Sequence, residues 1–157
     1  MLDYEVAMTY INWSASLDTT IETIDRQHRH IVNYINQLHH ARISGHARED
    51  VGKVIDGLID YTSSHFALEE SMMQEARYPF CASHKKLHEL FIKRVDGFRA
   101  RFVVGEDIAE ELNHLLEKWL YHHIALDADY VAVVKQNIHH PDVFMANKKG
   151  FFGRLFG

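Results

Sequence analysis

The sequence holds a single cysteine, Cys81, so no disulfide can form within the chain and the fold must stand on packing alone. Two prolines and eight glycines among 157 residues leave long stretches without a helix breaker. No apolar run approaches the length that spans a bilayer. The first residues, Met1-Leu2-Asp3-Tyr4-Glu5, lack the cationic start and apolar core of a secretory signal, and the cytoplasm is the expected address. An excess of cations is missing too. With a net charge of -5, the chain offers no electrostatic footprint for nucleic acid. Apolar residues at 46% and charged residues at 25% exclude a disordered chain and are enough for one domain with a sizeable core.

What is abundant is histidine, thirteen in all. Their meaning depends on where the helices lie. Residues 1–17 read as an extended arm carrying Tyr4, Tyr10, Ile11 and Trp13 without helical period. Asp18-Thr19-Thr20 offers a cap for a first helix running to about Ser44, where Gly45 stops it. Ile21, Ile24, His28, Ile31, Ile35 and Leu38 recur there at intervals of three and four, a core-facing stripe.

A second helix is expected from about Glu49 to Ala76, ended by Tyr78-Pro79 because the residue before proline is pushed out of the helical region. A third runs from about Phe80 to Val103, with Leu87, Phe91, Val95 and Phe98 on its inner side. Past Gly105, a fourth runs from about Asp107 to Asn137. Four long helices with short loops and no competing strand pattern predict an all-α, up-down-up-down antiparallel four-helix bundle over residues 1–137. Residues 138–157 form a separate tail whose Lys148, Lys149, Phe151, Phe152, Arg154 and Phe156 mix cations with aromatics.

Bundles build cofactor sites from side chains that project inward from facing helices. Each helix here supplies candidates: His28 from the first, His65 and Glu69 from the second, and His84 and His88 from the third. The fourth gives His122 or His123 with Asp127. Residues four apart sit one above the other on a helix face, so such a pair reaches one metal or two adjacent metals without bending the backbone. A lone histidine is more often exposed, or satisfied in a core, than a ligand. Three helices whose candidates all fall on the apolar face are harder to ascribe to chance. Five histidines and two carboxylates exceed the four ligands of a zinc site and suit two octahedral ions sharing bridges. The other histidines, His30, His39, His40, His46, His114, His139 and His140, read as surface or loop residues.

His65-Phe66, Glu69-Glu70, Met73, Tyr78, His84 and His88 resemble the hemerythrin signature in type and spacing. Ile24-Asp25 and Gln27-His28 upstream, with Trp119-Leu120 and His123-Ile124 downstream, resemble its flanking motifs. The length and single-domain layout are similar to those of a stand-alone bacterial member. The resemblance implies two irons with an oxo or hydroxo bridge. His84, His88 and His123 would hold one iron. His28 and His65 would hold the other, which keeps a position open for dioxygen. Glu69 and Asp127 would bridge the pair, and Leu120 and Trp119 would line the dioxygen pocket.

Two positions depart from the family pattern. Thr20 stands where glycine is usual, and the last histidine and aspartate are four apart rather than five. His122 keeps the family's spacing to Asp127, whereas His123 keeps the Trp-Leu-x-x-His-Ile match. At about 100° per residue, His123 and Asp127 differ by about 40° and share a face. His122 lies about 140° from Asp127 and would need a π-bulge to join it. Helix geometry therefore selects His123.

Reversible dioxygen binding, for storage or for delivery to oxygen-consuming enzymes, is the expected function, not catalysis. Catalytic diiron carboxylate sites draw a Glu-x-x-His motif from each of two helices. Glu111 to His114 supplies the sole example here and reads as surface. With few carboxylates the metal pair stays positive, which disfavours the high-valent states that oxygenases use. The alternatives are an oxidase or peroxidase, and a sensing or interaction module whose partner contact uses the tail. Three cations give that tail little attraction to an anionic membrane.

Overall fold

The computed structural model describes residues 10–45 and 48–142. Four α-helices follow a 3-10 turn at Ala15–Leu17: α1 Glu22–Ile43, α2 Arg48–Glu75, α3 Cys81–Val103 and α4 Ala109–Asn137. No strand occurs among the described residues. The chain forms an all-α four-helix bundle in which α1 packs on α2 and α4, and α2 on α3. The rings of Phe91 and Trp119 stack between α3 and α4, with centroids 3.8 Å apart. No helix among the described residues is long and apolar enough to cross a membrane.

The glycine stops fall where expected. Gly45 and Gly105 take positive φ, 63° and 102°, the left-handed conformation that ends a helix without a Cβ penalty. The start of α1 differs from expectation. Its cap position is Ile21, which makes no side-chain bond, and the helix begins at Glu22. Asp25 causes the shift, because its Oδ1 accepts hydrogen bonds from both N and Oγ1 of Thr19, each at 2.7 Å. That grip turns the chain through Thr20 at φ 74°, which accounts for the family's glycine at this place. The free N–H of Thr23 is capped from the other end of the chain: Asp142 Oδ1 accepts from its N at 2.8 Å and its Oγ1 at 2.7 Å.

Of the expected arm, Tyr10 to Ser14 lie alongside α1, and residues 1–9 are outside the described residues. Asn36 binds both the N–H and the carbonyl of Ile11, so the arm is strapped across the helix. Tyr10 meets His39 edge-on at 4.7 Å. His39 is therefore buried, against its expected place on the surface. Leu87 departs the other way. It is 46% exposed, since the inner stripe of α3 runs through His84, His88, Phe91, Val95 and Phe98. The aromatic-basic run at 148–156 lies outside the described residues.

The core is split in two. The larger cluster includes Ile31, Ile35, Ile55, Leu58, Phe91, Val95 and Leu112. The smaller gathers Ile21, Ile24, Met72, Met73, Tyr130 and Val134 around the other end. Between them lies a buried polar belt.

Candidate metal centre

The belt is built by helical repetition. His28 faces inward from α1, His65 and Glu69 from α2, His84 and His88 from α3, and His123 and Asp127 from α4, each pair one turn apart. None of the seven is more than 6% exposed.

Ligand-type atoms of His28, His65, Glu69, His123 and Asp127 lie within 4.8 Å of one another. A second, overlapping cluster joins Glu69, His84, His88 and His123. The carboxylates span the two. Glu69 Oε1 lies 3.1 Å from His65 Nε2, and Glu69 Oε2 lies 3.1 Å from His88 Nε2. Asp127 Oδ2 lies 3.0 Å from His28 Nε2 and 3.1 Å from His123 Nε2, while its Oδ1 lies 3.2 Å from His84 Nε2. His123 borders both clusters, and its Nε2 comes within 3.1 Å of His65 Nε2. The resemblance groups it with His84 and His88 alone. Helix α4 is unbroken through this region, and the neighbouring His122 is exposed.

These short approaches do not satisfy the atoms involved. His28 Nε2, His88 Nε2, Glu69 Oε2 and both oxygens of Asp127 are buried without a hydrogen-bond partner among the described residues. Leaving so many polar atoms unsatisfied costs about 1–3 kcal/mol each. Lone pairs that converge on one space and pair with nothing are what a metal centre requires. The donor set, all nitrogen and oxygen, suits iron. The residues fit a metal pair.

Electrostatics in the metal-free belt follow from burial and the two carboxylates. Burial works against a charged His28, but Asp127 and Glu69 outweigh it and raise its pKa to about 9. For His65 burial prevails and lowers it to about 4. Burial opposes ionisation of Glu69, yet His65 and His123 hold it well below the usual carboxylate range. Tyr130 is pushed well up by burial, Asp127 and Glu69, so its hydroxyl stays protonated. It donates to Glu69 Oε1 at 2.8 Å.

Tyr130 is one of three supporting residues whose role spacing did not reveal. Gln27 Oε1 lies 2.6 Å from His65 Nδ1, and Glu70 Oε1 lies 3.0 Å from His88 Nδ1. Each fixes the ring so that Nε2 faces the belt. Both stand next to a candidate ligand in sequence, and that adjacency was the available signal. Trp119 stacks on His123 at 4.7 Å, and Phe66 on His88 at 3.8 Å. Leu120 is fully buried in the larger apolar cluster with Phe66 and Ile124. His30, His40, His114, His139 and His140 are exposed, and His46 lies outside the described residues. Glu111 is exposed and bonds Arg101 rather than His114.

Residues 19–131 match the family model described as the hemerythrin HHE cation binding domain. A bacteriohemerythrin of Stenotrophomonas maltophilia is 52% identical over 76% of this chain and 78% of its own length. Bacteriohemerythrins of Pseudomonas aeruginosa are 47% identical over 83% of this chain and 86% of theirs. A crystal structure of wild-type hemerythrin superposes with a TM-score of 0.74 at 28% identity, covering 80% of this chain and 98% of that one. Bundle, belt and sequence agree: the chain belongs to the hemerythrin family, whose function is to bind oxygen.

Proposed function

We propose that the chain binds dioxygen reversibly at a non-haem diiron centre held by His28, His65, Glu69, His84, His88, His123 and Asp127. It stores dioxygen, or delivers it in the cytoplasm to oxygen-consuming enzymes. The observation that carries this reading is the convergence of imidazole nitrogens on two spanning carboxylates, of which Glu69 Oε2 and both Asp127 oxygens are buried without a hydrogen-bond partner among the described residues. When bound, the iron pair would supply the electrons for reversible dioxygen binding.

The protein's own residues make the exchange reversible. Neutral imidazoles add no charge, so among the side-chain ligands Glu69 and Asp127 alone would offset the metals. This sparing use of carboxylates would disfavour over-oxidation of a bound metal pair. Glu69 is held at Oε1 by the Tyr130 hydroxyl, which limits its freedom to swing between binding modes. Leu120 and Trp119 belong to the apolar cluster beside the belt, where they would exclude water that competes for the metal.

The test is an optical spectrum of the iron-loaded protein under nitrogen, then air, then nitrogen, together with dioxygen uptake. A band that forms in air and vanishes on deoxygenation, at one dioxygen per two irons, is expected. Prompt irreversible oxidation with stoichiometric hydrogen peroxide would sink the carrier reading and favour an oxidase or a sensor.

A further inference from the structure

We infer that Glu70 and Gln27 set the order in which the two irons are oxidised, the iron beside His84 and His88 giving up its electron first. This rests on the diiron reading above and concerns the side of each imidazole that faces away from the metals.

His88 and His65 are held alike. Each Nδ1 faces a side-chain oxygen, Glu70 Oε1 at 3.0 Å and Gln27 Oε1 at 2.6 Å. Each Nε2 lies 3.1 Å from one oxygen of Glu69. The geometry is matched, but the charge is not. Gln27 accepts the ring proton on a neutral amide oxygen, whereas Glu70 accepts it on a carboxylate that is 18% exposed. A carboxylate draws the Nδ1 proton away from the ring and makes Nε2 a stronger donor. Its full charge also acts through a poorly screened path. Both effects favour ferric over ferrous iron on the His88 side. On the opposite side His28 adds no counterweight, because its Nδ1 is buried without a hydrogen-bond partner among the described residues.

The step balances simply. A ferrous ion beside His84 and His88 would lose one electron to the one-electron redox mediator of the titration and become ferric. The Nδ1 proton moves toward Glu70 but stays within the pair, so no proton is released. The second iron, with the open position, follows at a higher potential. Glu70 and Gln27 are thus positioning residues that act through the imidazoles.

The experiment is a mediated spectroelectrochemical titration of the iron-loaded protein, with electron paramagnetic resonance of the half-oxidised state. Wild type, Glu70→Gln, Gln27→Glu and the double exchange are compared. Glu70→Gln should raise the first oxidation step by about 59 mV, the equivalent of a tenfold loss of ferric preference for one electron. Gln27→Glu should lower the second step by a similar amount. The double exchange should restore two separated steps with a changed half-oxidised resonance. A first step that stays put in Glu70→Gln, or moves only with Gln27→Glu, overturns the inference. Should Glu70→Gln fail to hold two irons, Gln27→Glu decides alone, and an unmoved second step overturns it. Wild type that takes up no iron pair would instead overturn the diiron reading itself.

Discussion

On either side of the histidine belt the bundle is filled with side chains that need nothing but neighbours. Ile31, Ile35, Ile55, Leu58 and Leu112 close one end, and Ile21, Ile24, Met72, Met73 and Val134 the other. Each such side chain contributes about 1.5–3 kcal/mol by leaving water. In the belt the same helices bury imidazoles and carboxylates, whose desolvation opposes folding unless a partner compensates. The apolar ends therefore hold the bundle together and keep the belt in register. In the metal-free belt the His28–Asp127 pair and the Tyr130–Glu69 hydrogen bond offset part of that cost, and an occupant would offset more. Fold and function occupy separate layers of one core.

The largest expected effect breaks the belt alone. His84→Ala or His123→Ala should drop iron below two per chain by elemental analysis, with helical content retained, whereas His122→Ala should keep both irons. Iron lost from His122→Ala and kept by His123→Ala would mean that α4 bulges in the loaded protein. A change at an end should do the reverse. Ile55→Ala, at a fully buried position, should cost about 2–5 kcal/mol in urea unfolding of the metal-free protein. Its iron content under native conditions should stay at wild type. If that variant folded but could not load iron, the two layers would not be separable.

Smaller effects sharpen the comparison at the end where α1 begins. Asp142→Ala removes the acceptor for the N and Oγ1 of Thr23 and should cost about 0.5–2 kcal/mol, read as a lower unfolding midpoint. The smallest change should be a gain. Thr20→Gly relieves a β-branched residue at φ 74°, where strain of about 1–3 kcal/mol is partly offset by the greater freedom of glycine when unfolded. A rise of a few degrees in Tm, with an unchanged optical spectrum, is the expected outcome. A fall would place the value of Thr20 in its hydroxyl, which Lys135 contacts.

Much of this was legible in the residues. Intervals of three and four, with Gly45, Pro79 and Gly105 as stops, predict four helices whose ends, the start of α1 apart, lie within two residues of the assigned ones. Spacings of four on three helices picked out the inward histidines and carboxylates. Misreadings occurred where a distant segment intervened. His39 reads as surface until Tyr10 lies against it, and the start of α1 reads as a Thr-rich cap until Asp25 and Asp142 claim those groups. Leu87 fits the helical period, yet it flanks the inner face of α3 and stays half in water.

The sequence by itself determined the helices, their inward faces and the nitrogen and oxygen donors that line the belt, because these depend on the local repeat and on residue identity. Only the tertiary structure decided that Glu69 and Asp127 each reach both clusters, that His123 borders the two, and that a carboxylate backs His88 while an amide backs His65. Those contacts join residues from different helices, and their distances are fixed by how the helices pack against one another. A one-dimensional period carries no information about that.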